Sequence, residues 1–551
     1  MNIKAVIALG FGVLGFVISY AQRDTSNKKG TVDITSAFKP VLKEPAKINF
    51  NASPAANDTT KPKLNYDIPN QNLLFGYTPG SLRPVALDID SGGYFDLNSY
   101  IKAGFGSLKT PFLQAGITFG DGKTAGLNIF AKHISSSGKI TYQDYRNTNV
   151  DLKGFFQTSK NIEWNAQLGM KQDRYYKYGL DPSITVFPPK DSLEQNFQTW
   201  RGGVGLRNID RTQFGISYAP EIFINVFNDR HENSESNTYI NLPLQKTVDK
   251  TFAVNLSATF DLTRYKPGKS SAKDNTFYYI SPSVVYKTPN ILLEGGIRPS
   301  WDNKDFKLFP NVMFEASTNN KQFIFQAGWS GYIRRTSYQN LASINPYLAV
   351  PDELKNTWII ERFAGFKGSL GDHFTYNAKL AYNLYKNQPL FVNDNQAMNS
   401  FDNTFRVIYE PEMNAVHFGG EIGYTEQEKF SVLAGLRLNK YVDIEENIKA
   451  YGLIPLELKG SARVQVIKDL WLKTDLFLWD GAQYKTPTGS AQLDGSFDLN
   501  AGLEFRITKN LNLWAQFNNI FNKEYETWKL YKSYGFNFLG GIIFAFDQKT
   551  K

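Results

Sequence analysis

Residues Thr251–Leu262 read TFAVNLSATFDL, and the order of these side chains decides the fold. Phe252, Val254, Leu256, Ala258, Phe260 and Leu262 share one parity. Thr251, Asn255, Ser257, Thr259 and Asp261 take the other, with Ala253. Successive side chains of an extended strand point to opposite faces, so this stretch is a ribbon with one greasy and one polar side. The pattern recurs. In NIEWNAQLGM (161–170), Ile162, Trp164, Ala166, Leu168 and Met170 oppose Asn161, Glu163, Asn165 and Gln167. In GSFDLNAGLEFRI (495–507), Phe497, Leu499, Ala501, Leu503, Phe505 and Ile507 oppose Ser496, Asp498, Asn500, Glu504 and Arg506. NAKLAYNL (377–384) repeats it once more. Turn signals separate such runs, as at Gly120-Asp121-Gly122, Thr158-Ser159-Lys160-Asn161 and Ile467-Lys468-Asp469. Longer connections are read near 176–196, 228–236, 337–356, 386–401 and 485–493.

A soluble sandwich also alternates, but it usually breaks into domains of about 100 residues. Here alternation runs from about Tyr94 to Phe546 with no second linker. Many runs reach the roughly 9–11 residues that carry a tilted strand through a bilayer. Beyond the extreme N-terminus no segment approaches the roughly 20 apolar residues of a spanning helix. The 9 Trp, 30 Tyr and 42 Phe fit the aromatic girdles of a barrel. Runs such as DRYYKYG (173–179), FYYISPSVVYK (277–287) and YETWKLYKSYGFNF (525–538) are read as supplying them. The expectation is an all-β protein: a large antiparallel transmembrane β-barrel with an even strand number, about 16–22.

Residues 1–21 read as an export signal. Lys4 opens it, Ala5 to Ile18 form the apolar core, and Ser19 and Ala21 precede the cleavage point at Gln22. Residues 22–83 form a Pro-rich extended segment, periplasmic or luminal, because Pro interrupts helices and central strands alike. The barrel is assigned to 84–551, and the cell outer membrane is the expected location.

At the other end, Phe536, Phe538, Gly540, Ile542, Phe544 and Phe546 share one face of the last strand. Such a strand suits barrel closure against the first strand, which leaves no open edge. The stretch NLNLWAQFNNIFNKEYETWKLYKSYGFNFLGGIIFAF (510–546) resembles the end of a TonB-dependent receptor barrel. In that family a strand enters an N-x-F/L-N-K-x-Y turn before an aromatic closing strand. Asn519, Phe521, Asn522, Lys523, Tyr525 and Gly535 match it, and Phe544 and Phe546 complete the closing strand. Segments 337–348, 354–370 and 373–384 resemble receptor-like barrels of Bacteroidetes type. Thr31–Ala37 is similar to the short box through which such receptors engage TonB. The family's plug domain takes well over a hundred residues, and 22–83 lacks its β-α-β pattern. The resemblance implies a solute channel or receptor across the outer membrane. The alternative reading is a non-transporting barrel subunit of an assembly or secretion complex.

Chemistry is sparse. With no Cys, disulfides, thiolate nucleophiles and Cys-bound zinc are excluded. His133, His231, His373 and His417 lie far apart, and HENS (231–234) is not a zinc motif because Glu235 follows it. RGGVGLR (201–207) is read as small residues relieving crowding rather than a phosphate loop. NDNQ (393–396) reads as a solvated loop rather than a Ca²⁺ site. The charge is +9, with no nucleic-acid motif. Arg334, Arg335, Lys171 and Arg174 are candidates to attract anions from a solvated rim. No enzyme and no cofactor is expected. The expected partners are outer-membrane lipid and lipopolysaccharide, the assembly machinery, and a periplasmic or outer-membrane protein bound through 22–83.

Overall fold

A computed structural model describes residues 99–180, 187–320, 322–371, 373–393, 404–426 and 429–546. The expected signal, the Pro-rich segment, Thr31–Ala37 and most of NDNQ lie outside these residues.

The described chain winds into a closed antiparallel barrel of 22 strands, an even number at the top of the expected range. It starts with Ser99–Gly106 and ends with Asn537–Phe546, and each strand between pairs with its neighbours in the sequence. The seam joins the two ends, from Ser99 opposite Phe546 to Gly106 opposite Leu539. Closure is what a bilayer demands, because no water there can satisfy a free strand edge.

The parity read from the sequence is the parity of the wall. Phe252, Val254, Leu256 and Leu262 are exposed outward, as are Leu503 and Phe505. Asp261, Asp498, Asn500 and Glu504 are buried on the inner face. Outward aromatics form rows at two heights. Phe260, Tyr278, Trp301 and Phe306 touch across four adjacent strands, with ring centroids 5.1–6.0 Å apart. On the strand Phe252–Lys266, Phe252 meets Tyr286 at 5.2 Å near the opposite end. Eight residues separate Phe252 from Phe260, about 26 Å along a strand. With the usual tilt this gives an apolar band of about 20 Å in height.

The two ends differ. Connections 159–161, 288–290 and 468–469 are tight turns at the end that also holds Ser99 and Phe546. Connections 177–193, 335–356, 443–455, 480–495 and 519–536 are long and lie at the other end. Short turns face the periplasm and long loops the exterior in such barrels. In one short turn the Asp121 carboxylate accepts the backbone N–H groups of Lys123, Thr124 and Ala125 at 2.8–3.0 Å. These bonds, led by that from Ala125, hold its pKa well below the usual carboxylate range.

Two expected loops are something else. The 228–236 connection is a tight hairpin, because Asp229 gathers the N–H groups of His231 and Asn233 at 2.7 and 3.0 Å. The 386–401 region begins as strand, since Phe374–Asn393 stays paired with Phe405–Glu426 up to Asn393.

The seam is covered from inside by one ring. The Trp514 indole lies where a Gly104 side chain would stand, 2.5 Å from an added Cβ, and its Nε1 donates to Ala103 O at 3.3 Å. The Lys102 ammonium sits 4.2 Å over that ring. Gly104→Val therefore overpacks the seam, a change that costs about 1–3 kcal/mol. On unboiled gels the variant should lose its fast-migrating folded form at a lower temperature than the parent. Gly295→Val, at a position with open space beside it, should leave that temperature unchanged. The Asp121 turn makes a second prediction. Its lowered pKa means the carboxylate's contribution is complete above the ordinary aspartate range and fades only as pH falls below it. Amide exchange at Ala125 should stay slow through that range, whereas Asp121→Ala should speed it already at neutral pH.

Candidate functional site

The closing loop 519–536 is built on the residues that carried the family resemblance. Asn519, buried and with φ +48°, turns the chain at the end of Leu511–Asn518. Asn tolerates this left-handed conformation because its short side chain bonds locally. The Asn519 amide donates to Lys523 O at 2.9 Å and Tyr534 O at 2.8 Å, while its Oδ1 accepts Lys523 N–H at 3.0 Å. One side chain thus ties both legs of the loop. Asn522 accepts Phe536 N–H at 2.8 Å, and a side chain at Gly535 would meet that same Oδ1 at 2.6 Å. Lys523 Nζ donates to Gly495 O at 3.3 Å. Tyr525 is buried, and its hydroxyl donates to Asp498 at 3.2 Å. Phe521 faces outward against Phe497 at 4.5 Å. Phe544 is exposed outward on the closing strand, 5.9 Å from Phe546.

Above this base the long loops turn inward. Tyr347, from the 335–356 loop, stacks on Tyr531, from the closing loop, at 3.6 Å and 14°. Tyr178, from the 177–193 loop, meets both edge-on at 5.8 and 5.0 Å. Trp528 packs between Phe391 and Phe405, each at 5.2 Å. Tyr178, Tyr347 and Tyr531 leave the wall at well-separated strands, so they meet only by turning in over the lumen. They form one apolar core with Tyr145, Tyr265, Tyr338, Leu341 and Tyr534. Tyr531 is 0 % exposed, so water is excluded there. Burial drives the hydroxyl pKa of Tyr338, Tyr347 and Tyr534 well above the usual phenol value.

Polar contacts fasten this cap. The Tyr178 hydroxyl donates to Lys532 O at 2.7 Å, as Gln143 Nε2 does at 2.8 Å. A short helix, Tyr338–Ile344, starts at Ser337, whose Oγ accepts Asn340 N–H at 3.1 Å. Tyr338 docks the helix on the wall, its hydroxyl donating to Asp229 at 2.7 Å and its N–H to Glu235 at 2.5 Å. The Tyr265 hydroxyl reaches Pro351 O at 2.9 Å.

The cationic candidates hold partners instead of forming an open rim. Arg335 pairs with Asp261 at 3.4 Å, Lys171 with Asp173 at 2.5 Å and Arg174 with Glu194 at 3.4 Å. Arg334 donates to Gln388 in the inner wall. Several inner-wall charges are matched in pairs, as in Glu163–Arg207 at 2.9 Å and Lys379–Glu361 at 2.9 Å. RGGVGLR lies in a strand, and a side chain at Gly203 would strike the Phe223 ring at 2.1 Å, so crowding explains the glycine there. The tyrosines of 173–179 and 525–534 are not headgroup anchors but the buried cap. Tyr278 and Tyr286 do stand in the outward rows. Period-two parity cannot separate the two roles where a strand leaves the membrane. The available signal was tyrosine at both parities beside turn residues. Among the described residues no group of three His, Asp or Glu is placed to hold a metal.

No protein-family model matches the chain, and no curated protein does either. Solved structures do. The FrpB iron transporter of Neisseria meningitidis matches with a TM-score of 0.64 at 10% identity, over 82% of this chain and 83% of that one. The ferric enterobactin receptor PfeA, of Pseudomonas aeruginosa, matches at 0.63 and 12%, over 83% and 82%. The siderophore receptor PirA of Acinetobacter baumannii matches at 0.62 and 8%, over 81% and 80%. The fold is that of an outer-membrane receptor barrel.

The tie made by Asn519 is testable. Asn519→Ala removes three hydrogen bonds and strains a left-handed residue, costing about 2–4 kcal/mol. Limited proteolysis of folded protein should then cut within 519–536 under conditions that spare the parent. Asn519→Gly, which accepts the backbone angle, should be cut at an intermediate rate.

Proposed function

We propose that the chain is an outer-membrane receptor of TonB-dependent type that admits a solute from the cell exterior. One observation carries the reading: Tyr178, Tyr347 and Tyr531, from outer loops that leave the wall at well-separated strands, pack into one buried aromatic core. A diffusion pore needs a standing aqueous path. A receptor needs a sealed one that opens on demand, because an open barrel of this width would breach the permeability barrier. The likeness in fold to iron and siderophore receptors supports the class, and the cargo is a matter for transport assays. In this proposal residues 1–21 direct export, and 22–83 form a periplasmic arm with Thr31–Ala37 as its contact to the energy-coupling partner. The arm stands in place of the family's longer plug, in keeping with the Bacteroidetes-type resemblance of the barrel.

Planar-bilayer recordings on the purified full-length protein test the seal. The parent should be electrically quiet. Tyr347→Ser with Tyr531→Ser should produce frequent openings, at least tenfold more time in conducting states. Steady large conductance in the parent would refute the sealed receptor. Silence in the double variant, with a stoichiometric partner retained in gentle detergent, would favour the non-transporting subunit.

A further inference from the structure

On the outward face Arg362 is a charge set between aromatic neighbours on both adjacent strands, with Lys440 three strands on in the same row. Arg362 is exposed on the strand Thr357–Leu370, five residues inside its outer end. It lies opposite Trp329 on one neighbouring strand and Tyr382 on the other, both outward-facing and exposed. Its guanidinium stands 5.7 Å from the Trp329 ring. Glu361, next in sequence, points into the lumen and pairs with Lys379. Among the described residues no carboxylate pairs with Arg362. A guanidinium on a barrel's lipid face costs up to about 2–4 kcal/mol at mid-depth and little near the interface. An Arg at this position is stabilised further by an anion within its reach.

Directly beneath it the wall is cut away. The next outward row runs Phe314, Ala327, Ala364, Leu380 across four strands. Two alanines side by side between larger residues leave a notch, with Trp329 and Tyr382 above and Phe325 and Phe366 below. The groove has a volume of about 630 Å³ and is lined from Val312 to Val416. A cation at the head of an apolar groove, flanked by interfacial aromatics, matches an amphiphile with an anionic head.

We infer that this surface is a binding site for a phosphate-bearing lipid of the outer leaflet. The phosphate meets Arg362, and the first part of an acyl chain fills the Ala327–Ala364 notch. Guanidinium binds phosphate through two parallel N–H donors, and the indole face steadies the cation from behind. The inference rests on the barrel's outer face alone and holds whatever solute the lumen admits.

Native mass spectrometry of the detergent-solubilised full-length chain tests it, with dilauroyl phosphatidic acid as the probe. Dilauroylglycerol, with the same chains and no phosphate, and inorganic phosphate are the controls. The parent should bind the first phosphatidic acid at least tenfold more tightly than dilauroylglycerol. Arg362→Leu should weaken that first adduct about tenfold, one charge-assisted contact, and Arg362→Lys should recover part of it. Ala364→Leu fills the notch with the charge intact and should weaken the same adduct severalfold. Equal adduct strength in the parent, Arg362→Leu and Ala364→Leu would overturn the site. So would inorganic phosphate competing at concentrations equal to the lipid, which would make the ion alone the ligand. A dimer that both substitutions dissolve would assign the groove to a second copy and overturn it too.

Discussion

The structure depends on one constraint: a backbone crossing hydrocarbon must satisfy its own N–H and C=O groups. Strands do this only by pairing on both sides, so the sheet has to close. Ser99–Gly106 must therefore find Asn537–Phe546 across the whole length of the barrel. The seam that joins them is the place where the most distant parts of the chain meet. Its packing is correspondingly specific: Trp514 occupies the space that Gly104 leaves, and Lys102 lies over the indole.

Closure then creates a second problem, a wide lumen, and the loops answer it. Aromatic side chains suit that task because each buries a large area with few rotatable bonds. The Tyr347–Tyr531 stack and its neighbours form a buried core built from the outer loops. The hydroxyls that such a core must bury are spent on loop carbonyls and on Asp229, so they fasten the cap as well as filling it.

The wall was legible in the sequence because its signal is local. Phe252 to Leu262 and Phe497 to Ile507 need only the alternation of their own side chains to declare two faces. Asn519, Asn522 and Gly535 were legible as a motif, since their contacts lie within one loop. The cap was not. Tyr178, Tyr347 and Tyr531 are far apart in the chain, and nothing near any of them says that it will meet the others. The same residue type marks a headgroup row at Tyr278 and a buried core at Tyr531, and only the path of the loops separates them. Asp229 shows the same limit on a smaller scale, because a side chain reaching two and four residues ahead turned an expected loop into a hairpin.

The account stands or falls on which solvent touches each face, and a chain without cysteine suits that question. Single cysteines placed in turn at positions 252–262 can carry a nitroxide in the membrane-embedded protein, whose collisions with oxygen and with a water-soluble nickel chelate are then compared. Even positions should favour oxygen and odd positions the chelate, alternating residue by residue along the strand. A flat profile, or even positions shielded from oxygen by other protein, would contradict the assignment of this face to lipid.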